Sequence, residues 1–281
     1  MLREKMFFAL ALLVLVILRS GAAYSDDVVT LDTRPGITQS FLLLEPKDTA
    51  KGVVIMLPGH EGEVEFRKTP EGDYEVENHG GGLTAHPAMR ETLRKSGFAV
   101  AVIAPPSDRT LLAPRFRKGT EHLEDMRIVI GYLQKRYGNK PYLHGHCLAT
   151  FSAASVASRL KSDGISGLIL SSTRSTGKDG AVTDFERDTV KVPVLLVHHR
   201  DDSCPQSPYH NVAHVKAFYQ NSAPKVDIIT VTGGESRMKK KQQSCQDGFH
   251  GIKGVQKDTA QAIVSWLLDK DFPAIVEGAK Q

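Results

Sequence analysis

The chain has 281 residues, with 36 lysines and arginines against 32 aspartates and glutamates, a formal net charge of +4. So small and scattered an excess does not imply a nucleic-acid partner, and its one cluster, Arg237 to Lys241, reads as a solvated loop. With 41% hydrophobic residues and no Pro/Ser/Gly-rich linker, residues 24–281 are expected to form a single domain with a sizeable core.

At the N-terminus, Arg3 and Lys5 precede an apolar run from Met6 to Leu18, and Gly21, Ala22 and Ala23 follow. This is the layout of a signal peptide over residues 1–23, because the run is shorter than the ~20 residues of a comfortable membrane span. Export to a periplasm or the outside is the expectation, with no membrane partner after cleavage. An oxidising compartment would join any two of Cys147, Cys204 and Cys245 that can meet, leaving one thiol unpaired; spacing alone leaves all three pairings open.

Val28 to Leu31 and Ile37 to Leu44, joined by Pro35-Gly36, predict an antiparallel hairpin. The pattern then changes to short, wholly apolar runs separated by helical periodicity: Val53 to Leu57, Phe98 to Ala104, Leu168 to Leu170, Val194 to Val197 and Ile228 to Val231. Such strands belong to a mostly parallel α/β sheet covered by helices on both faces. Leu123, Met126, Ile130 and Leu133 mark one helix, and Ala262, Ile263, Trp266 and Leu267 another. The polar, Gly-rich stretch from Gly59 to Thr84 is either a flap over a site or a surface insertion.

The most informative segment is Tyr142-Leu143-His144-Gly145-His146-Cys147-Leu148-Ala149, a short strand running directly into a helix from Leu148 to Leu160. Ala149, Ala153 and Ala157 recur there at every fourth position, letting that helix lie close against a sheet. A nucleophile raised on so sharp a turn needs tiny neighbours two positions before and after it, and Gly145 and Ala149 meet the need. A thiol at a helix N-terminus is also acidified, and the free N–H groups there can hold an oxyanion. The blander reading is a small cysteine buried at a tight turn.

Gly145-x-Cys147-x-Ala149 resembles the GxSxG nucleophile elbow of the α/β hydrolases, with Cys for Ser and Ala for the last Gly. From Val53 to Leu268 the order of elements is similar to that superfamily, nearest to its dienelactone-hydrolase-like subgroup, which includes cysteine nucleophiles. The resemblance implies an eight-stranded, mostly parallel sheet, a triad at the carboxyl edge of the strands and no cofactor.

On that pattern the acid is Asp202, with Asp201 in reserve, at the end of the strand Val194 to Val197. The base is His250, between the last apolar strand and the C-terminal helix. Subgroup members usually carry the histidine immediately before Gly-Phe, where this chain has Asp247. Either His250 reaches the site from three residues further on, or the triad is broken. The oxyanion donors would be the N–H of Leu148 and one from Gly59, His60 or Glu61. The run His79-Gly80-Gly81-Gly82 looks like a lipase HGGG motif but stands too far after its strand, and reads as flap glycine.

If Cys147 is the nucleophile, Cys204 and Cys245 remain to form a disulfide beside the acid and the base. His144 and His146 share a strand face, and His198 and His199 end another strand, but neither a spaced HxxxH nor a Cys cluster accompanies them, so no metal is expected. The function this implies is hydrolysis of a small-molecule acyl substrate, an ester, thioester or lactone, through Cys147, His250 and Asp202. The competing reading is a non-catalytic binding protein on a degenerate scaffold. Substrate identity and oligomeric state are not encoded legibly.

Overall fold

The computed structural model describes residues 26–78, 84, 86–161, 163–186, 188–236, 244–246 and 248–280. The expected signal segment, the His79 to Gly82 run, the basic cluster from Arg237 to Lys241 and Asp247 lie outside the described residues.

The strands in chain order are β1 (Asp26–Arg34), β2 (Ile37–Leu44), β3 (Gly52–Met56), β4 (Val64–Lys68), β5 (Tyr74–Asn78), β6 (Phe98–Pro106), β7 (Tyr142–His146), β8 (Gly167–Ser171), β9 (Val194–His199), β10 (Val226–Gly234) and β11 (Ile275–Lys280). Nine of them form one sheet in the order β1-β2-β6-β3-β7-β8-β9-β10-β11, while β4 and β5 pair separately. The hairpin β1–β2 is antiparallel and β2 also runs antiparallel to β6; from β6 to β11 every neighbouring pair is parallel.

Helices α1 (Pro87–Lys95), α2 (Pro114–Arg117), α3 (Thr120–Tyr137), α4 (Leu148–Leu160), α5 (Val212–Gln220) and α6 (Gln256–Leu267) complete the fold. Because alternate strand residues point to opposite faces, Val53 and Ile55 of β3 pack with α3, α4 and α5, whereas Val54 and Met56 pack with α1 and α6. This double burial is why β3 could be read as an unbroken apolar run. Ala149, Ala153 and Ala157 of α4 are fully buried, the close approach their size permits.

One feature departs from expectation. The sheet has nine strands rather than eight, because β11 adds beyond β10; with only Ile275 and Val276 as large apolar residues, it occupies an edge that needs little burial. The stretch from Gly59 to Thr84 contains the β4–β5 hairpin, whose Glu65, Lys68 and Glu75 are exposed. Parallel strands all end at one edge, so the segments following β3, β7, β9 and β10 converge there, at the crevice where open α/β sheets place their sites.

Candidate active site

Cys147 stands between β7 and α4 with φ 55° and ψ −122°, a left-handed conformation costing a non-glycine residue ~1–3 kcal/mol. The turn closes tightly: the Cys147 N–H donates to Ser171 O at 3.0 Å, and its carbonyl accepts from Thr150 N at 3.0 Å and Thr150 Oγ1 at 2.6 Å. A Cβ on Gly145 would stand 2.4 Å from Ala149 O, so this position admits glycine alone, as the sequence reading requires of an elbow. The thiol is free and half-buried.

The turn after β9 carries Asp202, and a loop after β10 carries His250. Asp202 is buried and Asp201 exposed, with the Asp202 N–H bonded to His199 O at 3.2 Å. His250 Nδ1 lies 2.9 Å from Asp202 Oδ2 and 3.1 Å from Oδ1. Thus His250, three residues beyond the usual position of the subgroup histidine, is brought to Asp202. Ser172 Oγ donates to the His250 carbonyl at 2.7 Å, and Lys253 N donates to Gly248 O at 2.8 Å across the histidine turn. Gly248 itself approaches Glu235 O so closely that a Cβ would sit at 2.1 Å.

Three groups near the acid escape the sequence reading. His198 Nε2 contacts Asp202 Oδ2 at 3.2 Å and Ser207 O at 2.8 Å; both are acceptors, so this nitrogen carries the proton. Ser207 Oγ donates to Asp202 Oδ2 at 3.2 Å, and Cys204 N to Asp202 Oδ1 at 2.9 Å. Burial would raise the Asp202 carboxyl, but the hydrogen bonds from His198 and His250 hold it well below the usual carboxylate range.

Burial likewise opposes the charged form of His250, but Asp202 and the adjoining thiol hold the imidazole well above its ordinary value. Burial pushes the Cys147 thiol up, while His250 and the Leu148 N–H bring it below the usual thiol value. The two opposed shifts favour a thiolate–imidazolium pair. His250 Nε2 is buried with no hydrogen-bond partner among the described residues, and the charges of Cys147 and Asp202 both favour the protonated ring.

Cys204 and Cys245 form a disulfide across 41 residues. It joins the acid turn to the segment leading into His250, and Cys245 also lines the cleft in front of Cys147. That cleft holds about 380 Å³ and is walled by His60, Glu61, Leu111, Leu112, Leu148 and Arg174, among others. Among the described residues, the N–H groups of Gly59, His60 and Glu61 make no internal backbone hydrogen bond.

The other histidines weighed as metal ligands are held by the protein. His144 Nε2 and His146 Nδ1 meet Ser171 Oγ at 3.0 and 3.2 Å, and His199 Nε2 meets Gly233 O at 2.8 Å. Among the described residues, no three His, Cys, Asp or Glu side chains converge as metal ligands would. His146 is nonetheless close to the base, its ring centred 5.3 Å from that of His250.

No family model and no curated protein matches the chain by sequence. Solved structures match it in shape. An alpha-beta serine hydrolase homologue from Coxiella burnetii superposes with a TM-score of 0.54 at 15% identity, covering 86% of this chain and 97% of its own. Est1E from Butyrivibrio proteoclasticus gives 0.55 at 18% identity over 86% of this chain and 98% of its own. The esterase Pf2001 from Pyrococcus furiosus gives 0.58 at 12% identity over 88% and 93%. The chain has the α/β-hydrolase fold.

Within this α/β-hydrolase fold, the β1–β2 hairpin and the mostly parallel sheet stand as the sequence pattern predicts. The fold alone does not assign chemistry, so the reaction has to be argued from the residues gathered at the carboxyl edge.

Proposed function

We propose that this chain is a hydrolase of small carboxylic esters, thioesters or lactones that works through an acyl-cysteine at Cys147. The observation that carries the reading is a free thiol on a positive-φ elbow at the strand edge that also holds His250, whose Nδ1 is bonded to Asp202 and whose Nε2 is buried without a hydrogen-bond partner among the described residues. The neighbours titled as an esterase and as a serine hydrolase homologue support the hydrolase part of this reading.

In this mechanism the Cys147 thiolate attacks the acyl carbon, and the developing oxyanion is received by the N–H of Leu148 and by one from Gly59, His60 or Glu61. The His250 imidazolium gives its proton to the leaving oxygen, or to the leaving sulfur of a thioester, as that atom's bond to the acyl carbon breaks, which leaves a thioester on Cys147. The now neutral His250 takes a proton from water, the resulting hydroxide equivalent attacks the thioester, and the thiolate departs. Asp202 orients the ring and stabilises its cation throughout. A thiolate is a good leaving group as well as a good attacker, which favours activated esters over amides. A cleft of about 380 Å³ suits a small acyl group, near the lower end of ligand pockets. Export, read from the N-terminal pattern, is consistent with the oxidised Cys204–Cys245 pair.

Turnover of p-nitrophenyl acetate by wild type and by Cys147→Ala tests the proposal. Activity in wild type that the variant lacks is the expected result. Folded wild-type protein with no turnover would favour the binding-protein reading instead.

A further inference from the structure

Among the described residues Arg117 is the largest fully buried side chain, 0% exposed. A guanidinium taken out of water costs several kcal/mol unless it is well bonded. Here the bonds all end on neutral acceptors: Nε donates to Leu112 O at 2.8 Å, Nη1 to Pro58 O at 2.9 Å and Ser152 Oγ at 3.0 Å, and Nη2 to His60 O at 2.9 Å. One side chain therefore ties together the loop after β3, the Leu112 wall of the cleft and helix α4, which begins at the nucleophile.

The consequence for the loop follows from the planar trans peptide, in which the C=O and the next N–H point opposite ways. With the carbonyls of Pro58 and His60 drawn to Arg117, the N–H groups of Gly59 and Glu61 are turned away from it, and His60 and Glu61 line the cleft with Cys147. Leu112 N donates to Glu61 O at 2.6 Å, bracing the same loop a second time. We propose that Arg117 is a positioning residue for this site, holding the oxyanion-donor loop in place and lending its charge to the thiolate and to the oxyanion formed on it.

Beside these ties to the loop and to α4, a charge on Cys147 is felt at Arg117. Burial pulls its pKa down to about 9; Cys147 opposes that fall and Arg174 adds to it, while His122 feels the Arg117 charge from α3. Around the thiol stand His250, Asp202 and the Leu148 N–H. In a buried site a fixed cation acts strongly on charge that develops nearby. The inference rests on the hydrolase reading for its catalytic half and on the thiol alone for its electrostatic half.

The test uses Arg117→Gln and Arg117→Lys in the full chain, with two readouts: the pH profile of Cys147 alkylation by iodoacetamide, and kcat and KM for p-nitrophenyl acetate. For Arg117→Gln we expect the alkylation midpoint to move to higher pH and kcat to fall ~100-fold with little change in KM. Arg117→Lys keeps the charge but loses the fork, so its alkylation midpoint stays near wild type while kcat still falls. A folded Arg117→Gln with wild-type midpoint and kcat, losing thermal stability alone, overturns the proposal. If Arg117→Gln does not fold, Arg117→Lys decides, and a wild-type kcat overturns it. Alkylation needs no turnover, so a shifted midpoint in a chain that hydrolyses nothing would sink the hydrolase reading and leave the electrostatic role standing.

Discussion

Nδ1 of His250 lies 2.9 Å from Oδ2 of Asp202 across 48 residues of sequence. The two are positioned differently, Asp202 from within its own turn and His250 from the segment after β8. Asp202 is fixed by the Cys204 N–H and Ser207 hydroxyl and by His198, and the His250 backbone by the Ser172 hydroxyl. The bond between them records how parallel strands deliver distant loops to one edge.

That relationship makes Asp202→Asn informative, because the amide keeps the shape and loses the charge. With the carboxylate gone, the imidazolium is no longer favoured and the ring tautomer is unspecified. We expect kcat for p-nitrophenyl acetate to fall by ~100- to 10,000-fold while the circular dichroism spectrum is retained. Steady-state kinetics on the folded variant checks this; turnover within a few-fold of wild type would remove Asp202 from the mechanism. Asp201→Asn, at an exposed position, should be silent.

The opposed shifts of the Cys147–His250 couple fix the pH dependence of activity. The thiol lies below its ordinary value, so the nucleophile persists to pH values under the usual thiol range of ~8.5 and is lost only as further acid protonates it. The imidazole lies above its ordinary value, so its proton-donating form persists above ~6.5 and is lost only in base. The kcat/KM profile should therefore have two limbs, the acid one displaced below the ordinary thiol value and the basic one above the ordinary imidazole value. A profile still rising steadily through pH 8, as an ordinary thiol gives, would contradict this.

The Cys204–Cys245 disulfide closes a loop of 41 residues, for which chain entropy provides ~4 kcal/mol of stability. The Cys204 N–H also holds Asp202 Oδ1 at 2.9 Å. Cys245→Ser should therefore lower both the denaturant midpoint and kcat, with Cys147 alkylation still possible. Urea unfolding and steady-state kinetics on the variant check it; a variant matching wild type in both would show that the bridge is dispensable to the site.

Much of this was legible beforehand, for physical reasons that differ by residue. β3 and β9 are buried on both faces and had to be apolar throughout, and the elbow showed itself because Gly145 has no room for a Cβ. Asp201 and Asp202 could not be separated, since which carboxylate turns inward depends on the bonds of a tight turn. Arg117 was not singled out, and His198 was weighed only as a metal ligand, because both are held in large part by backbone carbonyls, those of Pro58, His60 and Ser207, which leave no mark in side-chain chemistry. β4, β5 and β11 carry too little apolar pattern to declare themselves as strands.

Buried histidines away from the couple set the acid stability. His122 and His144 are pulled down by burial to about 3 each, so they stay neutral in the folded chain while the unfolded chain takes up their protons below ~6.5. The unfolded state binds more protons between those limits, and stability falls as pH drops through that window. The cost is ~2 kcal/mol per histidine at pH 5. Asp202, held below its ordinary value, adds its own loss only under pH ~4. Urea unfolding at pH 7 and pH 5 should show the drop, and His122→Phe should lessen it; equal stability at the two values would refute the assignment.

The central claim is that Cys147 carries the acyl group. Rapid acid quench during turnover of p-nitrophenyl acetate, followed by peptide mass analysis, addresses it directly. A single acetyl on the peptide holding Cys147, transient in wild type and accumulating in His250→Ala, is the predicted result. Turnover with no acetyl on that peptide at any time, or with the label on another residue, would contradict it.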